Sequence, residues 1–217
     1  MSSITLINQI LNNPKTHKPE RAVKSLLANS FYLDGNLFIE RFDQVYLTDS
    51  MEIQSFRAKA VVDLAMSIEC SLKSLIISLS RDDELPKLAY QKARSSNHDL
   101  NKLHEEVKKR AKNRFKLPKK NSLVFESLIK LGIGSRYSHE IWLLRINKAA
   151  GSYFVGDDLI SNTIDDLKWG KSVRKEAVAF NNLASNCNNK YLKKHSILTG
   201  KRFSSYHLAL EKFLKSK

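Results

Sequence analysis

The chain has 217 residues and a formal net charge of +15, from 37 Lys and Arg against 22 Asp and Glu. That length accommodates one hydrophobic core with an appendage and leaves little room for two full domains. Seven Gly and four Pro favour helices over a turn-rich β architecture, and no stretch approaches the roughly 20 uninterrupted apolar residues that span a bilayer.

The N-terminus, Met1-Ser2-Ser3-Ile4-Thr5, has neither the basic region nor the apolar segment of a secretory signal. Two isolated cysteines, Cys70 and Cys187, lack metal-like spacing and suit a reducing compartment, so a cytoplasmic location is expected. Residues 1–48 read as short helices punctuated by turns, an N-terminal helical cap on the core. Ile4, Leu6, Ile7, Ile10 and Leu11 precede a break at Asn12-Asn13-Pro14. Pro19 stands where a helix begins, Ala22, Val23, Leu26 and Leu27 continue it, and Asp34-Gly35-Asn36 ends it. Leu37, Phe38, Phe42, Val45 and Tyr46 make another apolar face.

The longest helix is expected over residues 51–80, with Asp49 or Ser50 as its N-cap. Thirty residues give a rod of about 45 Å. Ile53, Phe56, Ala60, Leu64, Ile68, Leu72, Leu75 and Leu79 form its main stripe. Val61, Ala65, Met66 and Ile76 widen that stripe until the helix must be contacted from several sides, as the spine of a bundle. Within the spine Glu69 and Lys73 stand one turn apart in the favourable order for an ion pair. A short loop follows, and then His98-Asp99-Leu100 opens a second helix carried inward by Leu100, Leu103, Val107 and Ala111.

Glu69-x-x-x-Lys73 on an apolar helix, followed by His98-Asp99-Leu100, resembles the HEPN family, small all-helical domains named for nucleotide binding in higher eukaryotes and prokaryotes. The resemblance covers residues 50–195, most specifically 60–103. It implies an all-α, up-and-down HEPN-like helical bundle over residues 49–196, with extra N- and C-terminal helices. It also implies that the spine and the segment from His98 lie side by side as antiparallel neighbours. Glu69, Lys73, His98 and Asp99 would form a structural polar cluster there, since charged groups near a core must be paired. His98 reads either as a satisfied helix-start residue or as a catalytic or ligand-binding one.

The charge is concentrated in two windows. Residues 108–120 hold eight basic residues (Lys108, Lys109, Arg110, Lys112, Arg114, Lys116, Lys119 and Lys120) and no acid, and residues 190–217 hold eight against Glu211. These windows take 16 of the 37 basic residues and one of the 22 acidic ones, leaving 21 of each elsewhere. Such localisation points to a polyanion, with RNA the expected partner. A solvated lysine-rich face, an acidic protein or a membrane surface are the other readings. Phe115 among the cations either stacks on a base or turns back into the core. Acidic Asp82-Asp83-Glu84 and Glu105-Glu106 read as helix-start and surface residues.

Leu123, Val124, Phe125, Leu128, Ile129 and Leu131 predict a helix stopped by Gly132 and Gly134. Arg136-Tyr137 after it again resembles many HEPN domains. Arg136 suits forked recognition of phosphate or carboxylate and His139 adds a titratable group; the pair is an alternative catalytic site, or a loop anchor. Residues 147–157 are the least regular, a lid, a partner contact or an insertion. Helices are expected near 158–168 and 172–195, then a basic C-terminal helix within 197–217, from about 204 to 215.

The ribonuclease branch of the resembling family carries Arg, four to six residues, then His on its last core helix, and cuts RNA without metal because a 2′-hydroxyl attacks its own neighbouring phosphate. Arg202 and His207 meet that spacing. Phe203 departs from the polar residue usual after that Arg, and the match falls beyond the last expected core helix, so a tail helix with an incidental His is the competing reading. Walker, Gly-x-Ser-x-Gly, His-Glu-x-x-His and paired-Cys motifs are missing from the sequence. The expectation is a protein acting on RNA, a metal-independent endoribonuclease of a toxin–antitoxin or phage-defence system, with no metal or other cofactor. A separate antitoxin or regulatory protein and a second copy of the chain, as a homodimer, are its expected protein partners, with no membrane. The alternative is a non-catalytic module binding a nucleotide or a protein.

Overall fold

The computed structural model describes residues 19–46, 52–96, 98–112, 115, 117–118, 121–132 and 158–192. Every regular element among them is helical: α1 (Pro19–Tyr46), α2 (Gln54–Ser78), α3 (Pro86–Arg94), α4 (Leu100–Ala111), α5 (Ser122–Leu131), the single turn α6 (Asp158–Ser161) and α7 (Leu167–Cys187), which ends in a π turn over Asn188–Leu192. The chain is all-α, and among the described residues no helix is long and apolar enough to cross a membrane.

Helix α2 is the expected spine, slightly shorter than the sequence predicts. It starts after Ile53, which makes no side-chain cap bond, and Asp49 and Ser50 lie outside the described residues. Buried side chains occur around most of its circumference, with Leu64, Ile68, Leu72, Leu75, Ile76 and Ile77 fully inaccessible. Neighbours cover it on each side: α1 runs antiparallel, as the pairings of Ala28 with Ser74 and of Arg41 with Asp63 show. Helix α7 runs parallel to α2, joined through Arg57 to Asp165 and through Ser71 to Asn181.

The expected break at Asp34-Gly35-Asn36 does not occur. Helix α1 passes through Gly35 without interruption, and Ala28, Ile39 and Phe42 from it belong to the same hydrophobic core as α2. The reason is tertiary. A Cβ on Gly35 would lie 3.0 Å from Asn181 Oδ1, 3.2 Å from the Ser67 carbonyl oxygen and 3.2 Å from Ser71 Oγ. The glycine lets three helices approach rather than ending one, and the intrinsic cost of about 1 kcal/mol is offset by that packing.

A second difference lies between α2 and α4. Where a loop is expected, α3 forms, with Pro86 in its first turn and Pro86, Ala89 and Ala93 buried. It is the return leg that brings the chain back along α2, so α4 runs parallel to the spine rather than antiparallel. The contacts give the sense: His98 meets Glu69 before α4 begins, and Arg110 meets the Ile76 carbonyl near its end. Helix α5 then packs back on α4, with Phe125 edge-on to the buried His104. Gly132, at φ +64°, terminates α5. Only one helical turn forms near 158, because Asp165 is drawn to Arg57 and Gln54 and Asp166 caps α7 through Lys168 N–H at 2.8 Å.

Candidate functional site

Helix α2 carries Glu69 with its carboxylate 3% exposed. A buried ionised carboxylate is costly by several kcal/mol unless each oxygen finds a charge-assisted partner. Lys73, one turn along, donates to Oε1, and His98 Nδ1 stands 2.8 Å from Oε2. Lys73 is held in turn, its ammonium 5.9 Å from the centre of the Phe31 ring of α1. Phe31 packs on Tyr90 of α3, whose hydroxyl accepts from Arg94. Helices α1 and α3 thus back the amine that holds this carboxylate.

The imidazole reaches Glu69 because the backbone at His98 takes a left-handed conformation, φ +67°. That region is uncommon for residues other than glycine. Asp99 follows as the N-cap of α4, accepting from Asn101 N–H at 3.0 Å and Lys102 N–H at 3.1 Å. The Lys102 backbone bond holds the Asp99 carboxyl below its usual range, helped by the Lys102 ammonium 3.4 Å away. The turn reverses and the helix starts in two residues.

Beside this turn lies a cleft of about 380 Å³ between α2, α4 and α5. Ala65, Met66, Leu100, Leu128 and Ile129 supply apolar walls, and Glu69, His98 and Asp99 supply a polar edge. The charges there cancel in pairs, Glu69 against Lys73 and Asp99 against Lys102. The arrangement is suited to a ligand with a flat apolar body and a hydrogen-bonding rim.

The cationic window of 108–120 divides. Lys108, Lys109 and Lys112 are exposed, and Lys109 lines a polar groove with Lys92 and Lys102. Arg110 is not part of that surface. It is turned inward, its side chain 8% exposed, donating to both oxygens of Glu84 at 2.9 Å, to Glu106 at 2.7 Å and to the Ile76 carbonyl at 3.1 Å. Its neighbour Phe115 packs against the core, as does Leu117. Glu84 and Glu106, read from sequence as surface acids, are the reason Arg110 lies inside. Arg114, Lys116, Lys119, Lys120, Arg136, His139, Arg202 and His207 lie outside the described residues.

Two features had no sequence signal. Lys24 of α1 is 1% exposed and donates to the Arg81 carbonyl at 2.6 Å, its pKa lowered chiefly by burial. His104 lies between Phe125 and Phe180, its ring edge-on to each. Burial pushes the Cys70 thiol up to about 12 and the Cys187 thiol up to about 11, so neither is poised as a nucleophile. Among the described residues no group of three or more His, Cys, Asp or Glu gathers as metal ligands do. No family model, no curated protein and no solved structure matches this chain.

Proposed function

We propose that this chain is an RNA-directed protein of the HEPN-like kind, a helical module that binds single-stranded RNA along its cationic side and cuts it without metal. The observation that carries this reading is the lock between Glu69, Lys73 and His98. The acid and amine one turn apart on the spine are joined in space to the His-Asp-Leu start of another helix, the association that the sequence resemblance implies. The exposed Lys109 and Lys112 add a short cationic strip at the end of α4, Lys109 in a groove that Lys92 and Lys102 share with Glu105 and Glu106. Phosphates drawn to such a strip release counterions, giving sequence-independent affinity.

The parallel run of α4 along α2 departs from the antiparallel pairing expected of the resemblance, because α3 returns the chain between them. A toxin or phage-defence role, a separate antitoxin and a two-fold dimer belong to the same proposal. Purified protein should cut RNA in the presence of a chelator. Substituting Arg202→Ala with His207→Ala, and separately Arg136→Ala with His139→Ala, tests whether either sequence-identified pair carries the cut. RNA left intact by a protein that binds a nucleotide with little dependence on salt would replace this reading with the non-catalytic one. The apolar cleft with its polar edge is the observation that favours that second reading.

A further inference from the structure

A mechanical latch accounts for the carboxylate contact of His98 and for its backbone, and leaves the exposure of its ring unexplained. Its Nδ1 meets a buried carboxylate at 2.8 Å, its side chain is 52% exposed on the wall of a cleft, and its backbone is held in a left-handed conformation. The left-handed backbone, which histidine adopts more readily than most residues, aims the ring at Glu69. Nε2 has no partner among the described residues. A carboxylate on one ring nitrogen fixes the tautomer and leaves the lone pair of the other free to take a proton.

The surroundings define what the ring can act upon. Glu69 of α2 and Asp99 at the start of α4 line the cleft beside it, each paired to a lysine outside that lining, Lys73 and Lys102, and α5 contributes Leu128, Ile129 and Gly132. The two ion pairs cancel, so the polar edge is neutral with a neutral imidazole and gains one positive charge when the ring is protonated. That charge would develop beside a phosphodiester at the moment the diester becomes more negative. Met66 and Ile129 offer apolar surface to an unstacked base.

We propose that His98 accepts the 2′-hydroxyl proton of a single-stranded RNA whose base lies against Met66 and Ile129, with Glu69 as the positioning residue. This rests on the RNA-directed reading above and places the proton transfer in the cleft rather than at Arg202 and His207. As the 2′-O–H bond breaks toward Nε2, the 2′-oxygen bonds to the adjacent phosphorus and the P–O5′ bond breaks. The departing 5′-oxygen takes a proton from solvent, and the imidazolium returns one to solvent. The products are a 2′,3′-cyclic phosphate and a 5′-hydroxyl, with no net water consumed.

The informative substitution is His98→Asn, because asparagine tolerates the left-handed backbone and keeps a donor toward Glu69 but transfers no proton. Wild type, H98N and E69Q are compared for binding and cleavage of a labelled single-stranded RNA in chelator, with the fold monitored by circular dichroism. H98N should bind as wild type does and cut at least about a hundredfold more slowly. E69Q should lower kcat and leave KM unchanged, because Glu69 holds the ring in place for the proton transfer. In unmutated protein, diethyl pyrocarbonate should modify His98 and stop cleavage, and bound RNA should protect it. Cleavage by H98N at the wild-type rate, or full activity after modification of His98, overturns the assignment and leaves the RNA reading standing. Wild-type protein that binds RNA and leaves it whole overturns the assignment and the cleavage half of the RNA reading, leaving only the binding. Protein that neither binds nor cuts RNA overturns both.

Discussion

Arg110 grips both carboxylate oxygens of Glu84 at 2.9 Å, although Glu84 precedes it by 26 residues and the whole of α3 lies between them. The guanidinium also holds Glu106 and closes on the Ile76 carbonyl. It thereby ties the end of α4 to the loop that leaves the spine. Arg110→Ala would leave Glu84 to Lys92 alone, 3.4 Å away, and the expected loss in a urea titration lies below the roughly 3–5 kcal/mol of a fully stranded buried charge. Arg110→Lys should recover only part of it, because an ammonium cannot reproduce the forked geometry.

The same pair sets an acid limit on stability. Burial alone would raise the Glu84 carboxyl, but the hydrogen bonds and charge of Arg110, with Lys92 adding to them, outweigh it and hold the group below its usual 4.5. A carboxyl whose folded value is depressed contributes stability that is fully present above the unfolded value and is lost as pH falls through the folded one. Through this pair the urea midpoint should therefore not change with pH near neutrality and should fall progressively below about pH 4.5. In Glu84→Gln that part of the acid dependence should vanish, with a lower midpoint at pH 7. An unchanged acid limb in Glu84→Gln would assign the dependence elsewhere.

What the sequence made legible was periodic and local. The α2 stripe, the i, i+4 placing of Glu69 and Lys73, the helix start at His98-Asp99-Leu100 and the Gly132 stop all follow from neighbours within a few turns. What it hid depends on residues far along the chain. Gly35 carries a stop signal by itself, and only Ser67, Ser71 and Asn181 turn it into a packing residue. Helix α3 buries Pro86, Ala89 and Ala93 at helical spacing while leaving Leu88 exposed, so its apolar period is carried by small residues and is faint in the sequence. Arg110 looks like its cationic neighbours until α3 delivers Glu84. The convergence of Glu69 and His98 was legible only through the resemblance, because nothing local brings a residue at position 98 back to position 69.

Gly35 gives a prediction whose sign opposes helix propensity. In an exposed helix interior Gly→Ala stabilises by about 1 kcal/mol. Here the new methyl would crowd the Ser67 carbonyl at 3.2 Å, and that oxygen belongs to the backbone of the spine and yields little. Overpacking of this kind costs about 1–3 kcal/mol. Gly35→Ala should therefore lower the urea midpoint, and Gly35→Val should lower it further. A stabilised Gly35→Ala protein would mean that α1 and α2 can separate without penalty.

The cationic side of α4 gives the last prediction, and it depends on the RNA reading. Lys109 and Lys112 are exposed, and Lys108 is exposed while paired to Glu105 at 3.1 Å. If these amines meet phosphates, each Lys→Gln change should weaken RNA binding by a similar factor whatever the RNA sequence. It should also reduce the slope of log affinity against log salt by about 0.7 for each single-strand phosphate no longer neutralised. Lys108 should show the smallest effect, because Glu105 already competes for its charge. Arg110→Gln should leave the salt slope unchanged while lowering stability, since its charge is spent on Glu84 and Glu106. Fluorescence anisotropy over a salt series separates the two behaviours. An equal loss of slope for Arg110 and Lys109 would show that the interior pairing opens when the polyanion arrives.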